Sequence, residues 1–374
     1  MHHSHRSRWL LPFIAATALL VASCASSDSA GSKGDKGGGG GDKAATCKGK
    51  TGEAATADEL GSAKDPDGSG KKVGMVFDVG GKGDKSFNDS AFAGITAAAD
   101  KMGIDAKELE PNADGSNREA LLRQLAGDGY GLVVAVGFNF AEVLPGVAKD
   151  FPKVDFAIVD DQSVKADNVA SLVFAEQEGS YLVGAAAAQS SKSGTVGFVG
   201  GVETALIKKF EAGYTAGVKA VAKDDKVEVK YLTPDGDFSG FNDAAKGQTT
   251  AKGEYDAGAD VVYQAAGGSG KGVFKAAAAA DRLAIGVDSN QYLQVPAAQQ
   301  KCMLSSMLKR VDVAVYATIK DWVGDKFKAG VSTYDLENGG IDFATQGGQI
   351  KDQKQIEQFK KDIISGKITV PTTP

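Results

Sequence analysis

The chain has 374 residues, 42% of them hydrophobic, enough to bury the cores of two ordinary domains and to exclude a disordered chain. Its formal net charge is −6 at pH 7. That acidic balance excludes the basic, phosphate-neutralising surface on which nucleic-acid binding depends.

From the N-terminus, the first expected element is an export signal. MHHSHRSRW is a short cationic start carrying Arg6 and Arg8, and Leu10–Ala22 is an apolar run of 13 residues. A membrane-crossing helix takes roughly 20, so the run matches the apolar part of a secretory signal. It closes in VASC, Val21–Cys24, which resembles a bacterial lipobox with Cys24 as the lipid-modified first residue of the mature chain. The alternative is an ordinary signal peptide followed by an incidental cysteine. Ala25–Lys43 has no apolar residue larger than alanine and cannot order itself by burial. Some 20 residues of such chain span on the order of 25 Å, so the Gly37–Gly41 run reads as a leash and not as a nucleotide loop.

Loss of residues 1–23 removes Arg6 and Arg8 and no acid, which takes the charge from −6 to −8. It also removes His2, His3 and His5, the only histidines, so a His-activated hydrolase mechanism is excluded. With no histidine and no CxxC, no metal site and no cofactor are expected. Cys47 and Cys302 remain as an even pair in an oxidising compartment. They are expected either as a bridge from the start of the folded part to its far end, or as two free thiols.

From Lys71 onward, short apolar runs alternate with Ala-rich helical stretches. Strands are expected at 71–78, 132–137, 156–161, 195–201, 227–232, 259–267 and 283–289, and helices at 90–103, 118–129, 178–191 and 204–223. Such alternation predicts right-handed βαβ units and open parallel sheets, in two series covering about 71–175 and 176–290. Residues 303–327 read as an amphipathic helix, 334–344 as a short hairpin or edge strands around Asn338-Gly339, and DQKQIEQFKKDIISG as a last helix. GGSGKGV (Gly267–Val273) fails as a P-loop: Ala265 stands where its first glycine belongs, and Lys271 is followed by Gly272. In open α/β sheets ligands sit beyond the carboxyl ends of the strands. Those ends are Asp78, Gly137-Phe138, Asp160-Asp161, Gly200-Gly201, Gly267-Gly268 and Asp288.

The stretch FDVGGKGDKSFNDSAFAG (Phe77–Gly94), with GFNF, FAIVDD, FAEQEGSYLVGAAAA, FEAGYTAGVKA, GFNDAAKGQ, ADVVYQAAGGSGKGVFKAA, IGVDSNQ and SSMLKRVDVAVY, resembles the basic membrane lipoprotein family over essentially all of residues 71–374. Members are substrate-binding lipoproteins of ABC transporters, similar to a purine nucleoside receptor. The resemblance implies a type I periplasmic-binding-protein fold, two doubly wound parallel-sheet lobes joined by a three-strand hinge. The expected division is signal 1–23, anchored flexible linker 24–70, one lobe from 71–175 with 303–330, the other from 176–302 with 331–374. The implied protein is a lipid-anchored monomer on the outer face of the cell membrane. It captures a nucleoside, probes no nucleic acid, and delivers its cargo to an ABC permease.

A nucleoside offers a flat base with a polar edge and a ribose diol, and the expected residues answer each part. The resemblance assigns the sugar to Asp78, Gly268 or Gly267, Asp288 and Lys309. It assigns the base edge to Asn88 with Asp160 or Asp161, and the stack to Phe87 with Phe241 or Phe238. Each has a structural alternative. Asp78 and Asp288 also read as turn caps, Lys309 as a solvated lysine, Phe87 as core and Asn88 as an N-cap. Phe138 and Phe140 read as cleft wall or core. Alternatives at the level of function are a sugar or other polar cargo, a surface receptor without transport, and a nucleosidase using paired acids.

Overall fold

The computed structural model describes residues 44–53, 60–61 and 64–374. The signal segment, Cys24 and the leash through Lys43 lie outside them. Runs of Val, Ile and Ala bounded by Gly or Asp form strands buried on both faces, and most are followed by a helix that covers the sheet.

The first half contributes β1 (Lys72–Val76), α1 (Phe87–Met102), β2 (Asp105–Leu109), α2 (Arg118–Gly127), β3 (Leu132–Ala135), α3 (Leu144–Asp150), β4 (Asp155–Val159) and β5 (Val169–Phe174). The chain then crosses to α4 (Glu176–Ser190), β6 (Thr195–Val202), α5 (Ala205–Val221), β7 (Lys226–Thr233), α6 (Ala244–Asp256), β8 (Val261–Ala265), α7 (Gly270–Ala280), β9 (Leu283–Asp288), the single-turn α8 (Ala297–Gln300) and β10 (Met303–Lys309). It crosses back for α9 (Val311–Val323) and β11 (Gly330–Tyr334), then returns for β12 (Ile341–Phe343) and α10 (Gln353–Ile364). The sheets run β11-β5-β4-β3-β1-β2 and β12-β10-β9-β8-β6-β7. Every pairing is parallel except that of β12 with β10.

Three connections therefore join the lobes, at 174–176, 309–311 and 334–341. Two expectations change here. Residues 303–309 are not the start of a helix but a strand buried along most of its length, with the helix beginning at Val311. A short apolar run of this kind carries no period that separates strand from buried helix. The segment around Asn338-Gly339 is no hairpin, because β11 pairs with β5 in one sheet and β12 with β10 in the other. Accordingly β10 belongs with the second sheet and β11 with the first, the reverse of the expected division. The strands β2 and β5 were absent from the sequence reading: β2 (DAKEL) is a polar sheet edge, and small residues interrupt β5 (VASLVF).

Each sheet is covered on both sides. One apolar cluster under α2 and α3 fills the outer face of the first sheet, and another under α6 and α7 fills that of the second. Helices α4 and α5 pack so closely that a β-carbon on Gly217 would lie 2.0 Å from the Tyr181 carbonyl oxygen, and one on Gly184 2.2 Å from that of Tyr214.

The N-terminal arm is docked, although it was expected as linker. Ala45 N–H donates to Asp260, Gly49 N–H to the Lys301 carbonyl and Lys50 N–H to that of Gly347, all in the second lobe. Cys47 is bonded there to Cys302, 255 residues away. Asp65 then accepts from Tyr316 at 2.5 Å and pairs with Lys320 at 2.6 Å, both on α9 of the first lobe. The arm thus makes a fourth passage between lobes. Among the described residues no helix is long and apolar enough to cross a membrane.

Candidate functional site

The carboxyl ends of β1, β4, β8 and β9 face one another across the gap between the lobes, and β10 leads Lys309 into it. Of the eleven expected ligand residues, Asp78, Phe87, Asn88, Asp160, Phe241, Gly267, Gly268, Asp288 and Lys309 line this single cavity. Asp161 and Phe238 do not. The Asp161 carboxylate turns back to accept from Ser163 N–H and Oγ at 2.7 and 2.8 Å, closing its own loop. Phe238 stands edge-on to Phe138 of the opposite lobe, with ring centroids 5.7 Å apart.

The loop between β1 and α1 is held by its own acids. Asp84 accepts the N–H groups of Ser86, Asn88 and Asp89 and the Asn88 amide, while Asp89 accepts from Gly83 and Lys85 N–H. Asp84 therefore satisfies the donors at the start of α1, the capping role expected of Asn88. The helix starts at Phe87, and Asn88 is used differently. Its Oδ1 accepts from Asp78 N–H and its Nδ2 donates to the Val79 carbonyl, tying the helix start to the strand end. Burial pushes the Asp84 carboxyl up to about 6 against these donors.

Asp78 acts as the turn cap and also faces the cavity. It caps its turn by accepting from Val79 N–H at 2.8 Å, and it lines the cavity while accepting from Arg118 at 3.4 Å and Asn139 at 3.2 Å. Gly137 lies against it: a β-carbon there would fall 2.2 Å from Asp78 Oδ2, at a φ of 108° that only glycine adopts freely. Asp160 and Asp288 end their strands with φ of 67° and 64°, conformations that cost a non-glycine residue on the order of 1–2 kcal/mol. Such strain persists where the surroundings enforce it, and it collects at sites.

Lys309 is the centre of charge. Only 2% of its side chain is exposed, and its Nζ lies 2.5 Å from Asp160 Oδ2 and 3.5 Å from Glu176 Oε1. The rings of Phe87, Phe174 and Phe210 stand 5.0, 5.1 and 5.7 Å from it, giving three cation–π contacts. Burial opposes the ammonium, but Asp160, Glu176 and Asp288 outweigh it and its pKa is raised. Burial lifts Asp160 to about 7 despite Lys309, with Glu176 and Asp288 adding repulsion, and it also raises Asp288 and Asp78.

The lobes touch across the mouth. Ser86 Oγ donates to Asp288, Gln291 donates to the Lys85 carbonyl at 2.7 Å, and Lys271 to that of Gly83 at 3.0 Å. Sequence reasoning missed Asp84, Glu176, Phe210 and Arg118. An acid at a helix start reads as a cap, an arginine as solvated, and a phenylalanine in an amphipathic helix as core. Among the described residues no group of three or more His, Cys, Asp or Glu side chains is placed to hold a metal ion.

Comparison with known proteins places the chain in a family. The chain is 36% identical to the ABC transporter nucleoside-binding protein BmpA of Lactococcus lactis, covering 80% of this chain and 89% of that protein. It is 34% identical to an uncharacterized lipoprotein of Pyrococcus furiosus, over 75% of each. It superposes on a solute-binding protein of an ABC transporter system from Aeropyrum pernix with a TM-score of 0.71 and 30% identity, covering 81% of this chain and 93% of that one. Residues 71–374 match the family described as ABC transporter substrate-binding protein, PnrA-like, and the chain belongs to that family.

Proposed function

We propose that this protein captures a nucleoside, preferably a purine nucleoside, between its lobes and delivers it to an ABC permease while tethered to the outer face of the membrane through Cys24. The observation that carries the ligand is the composition of the cavity. It sets an aromatic ring from each lobe, Phe87 and Phe241, beside buried carboxylates and a glycine pair at a strand end. Aromatic faces suit a base, carboxylates accept from ribose hydroxyls, and Gly267-Gly268 admits backbone contact with the sugar. Asp160 Oδ1 is buried and accepts no hydrogen bond, so it suits an N–H of the base edge. Asp78 and Asp288 serve the sugar. A capture role leaves the acids as hydrogen-bond acceptors and asks no chemistry of them. The lipobox-like VASC and the lipoprotein relative support the anchor, and one cleft per chain suits a monomer.

Inosine, guanosine and adenosine should each be tried against the purified chain without its lipid. Ligand at a hundred times its Kd should add about 2.7 kcal/mol to the unfolding free energy, read as a rise in Tm. Phe87→Ala should weaken nucleoside binding by the roughly 1–3 kcal/mol that a base gains from one aromatic face. Binding of ribose or arabinose in place of nucleosides, insensitive to that substitution, would move the reading to a sugar. Release of free base on incubation would make the protein a nucleosidase.

A further inference from the structure

Two buried carboxyl oxygens flank the Lys309 ammonium without accepting any hydrogen bond: Asp160 Oδ1 and Glu176 Oε1. An ammonium has three donors. Lys309 spends one on Asp160 Oδ2 and stops 3.5 Å from Glu176 Oε1, slightly too far for a second. Glu176 is itself fixed. Its other oxygen accepts from Lys209 at 3.2 Å, its side chain is 1% exposed, and it opens α4, where the helix end favours a negative charge. It also sits on one interlobe crossing while Lys309 sits on the next, so their contact ties two hinge segments together.

We propose that Glu176 is a positioning residue for the cleft, a second berth onto which the Lys309 ammonium moves when a bound ligand donates to Asp160. This rests on the cleft being the nucleoside site. An N–H arriving at Asp160 competes for the charge that Lys309 now holds. A shift toward Glu176 Oε1 leaves the ammonium neutralised and leaves more of the Asp160 charge to the ligand at its unpartnered Oδ1. Cation–π contacts with Phe87, Phe174 and Phe210 hold the ammonium in the region where both acceptors lie. The groups facing the switch are Asp160, Glu176, Asp288, Lys309, Lys209 and Tyr263.

The test is Glu176→Gln in the full folded chain, with two independent readouts. The first is nucleoside affinity by calorimetry from pH 5.5 to 8.5. The variant should bind roughly tenfold more weakly at pH 7.5, as expected from losing one charged hydrogen-bond acceptor, and the pH at which affinity is half lost should move down. The second needs no ligand. Selective carboxyl labelling and NMR should show the Asp160 titration moving to lower pH in the variant, because Glu176 no longer repels it and Lys309 commits to it fully. Wild-type protein that binds no nucleoside would sink the functional reading, and the berth with it. Wild-type binding with affinity, pH profile and Asp160 titration all unmoved in the variant would overturn the positioning role alone. A lowered Tm without those shifts would likewise reduce Glu176 to a structural residue.

Discussion

Glu254 is a buried acid outside the cleft. It lies in α6 with 2% exposure, neither carboxyl oxygen accepts a hydrogen bond, and burial pushes its pKa up to about 9. Asp160 and Asp84 follow at about 7 and about 6. Raised acids bind protons in the folded chain that the unfolded chain has released, so stability falls as pH rises from the ordinary carboxylate range up to these values. Thermal unfolding should therefore give a higher Tm at pH 5.5 than at pH 8.5, with Glu254→Gln flattening much of the difference. A Tm that climbs with pH over this range would contradict the burial. Asp78, Asp160 and Asp288 were legible because each ends an apolar run where an α/β fold places ligands. Glu254, Glu176 and Asp84 were not, since an acid on a helix looks solvated until the fold shows what covers it.

At the scale of elements, periodicity located the strands that are buried on both faces and the helices between them. It missed β2 and β5, where edge polarity and small side chains erase the pattern. It misread β10, whose run is too short to show a period. The α4–α5 contact was visible only as scattered glycines, yet backbone meets backbone there. Gly217→Ala would gain up to about 1 kcal/mol of helix propensity, but its β-carbon would fall 2.0 Å from the Tyr181 carbonyl oxygen. Overpacking of this kind costs typically about 1–3 kcal/mol. Urea unfolding should show a net loss, and a gain would mean that the two helices slide apart freely.

For the molecule as a whole, two α/β lobes were readable from the alternation of strands and helices, whereas the assignment of the last strands was not, because crossings leave no mark in local sequence. The bond between Cys47 and Cys302 closes a loop of 255 residues. Removing such a constraint from the unfolded chain should cost about 3–5 kcal/mol, so Cys47→Ser with Cys302→Ser should lower Tm clearly under non-reducing conditions. An unchanged Tm would show that the arm's hydrogen bonds hold it without help.

The same fastening decides where force enters the molecule. Ala44 onward is riveted to the second lobe before the chain reaches the first, so a tug from upstream is borne by that lobe and bypasses the joint. The second lobe is then the one fastened to the upstream chain, and the first is held through it. Whatever holds the upstream end, the closing of the two lobes is spared its load.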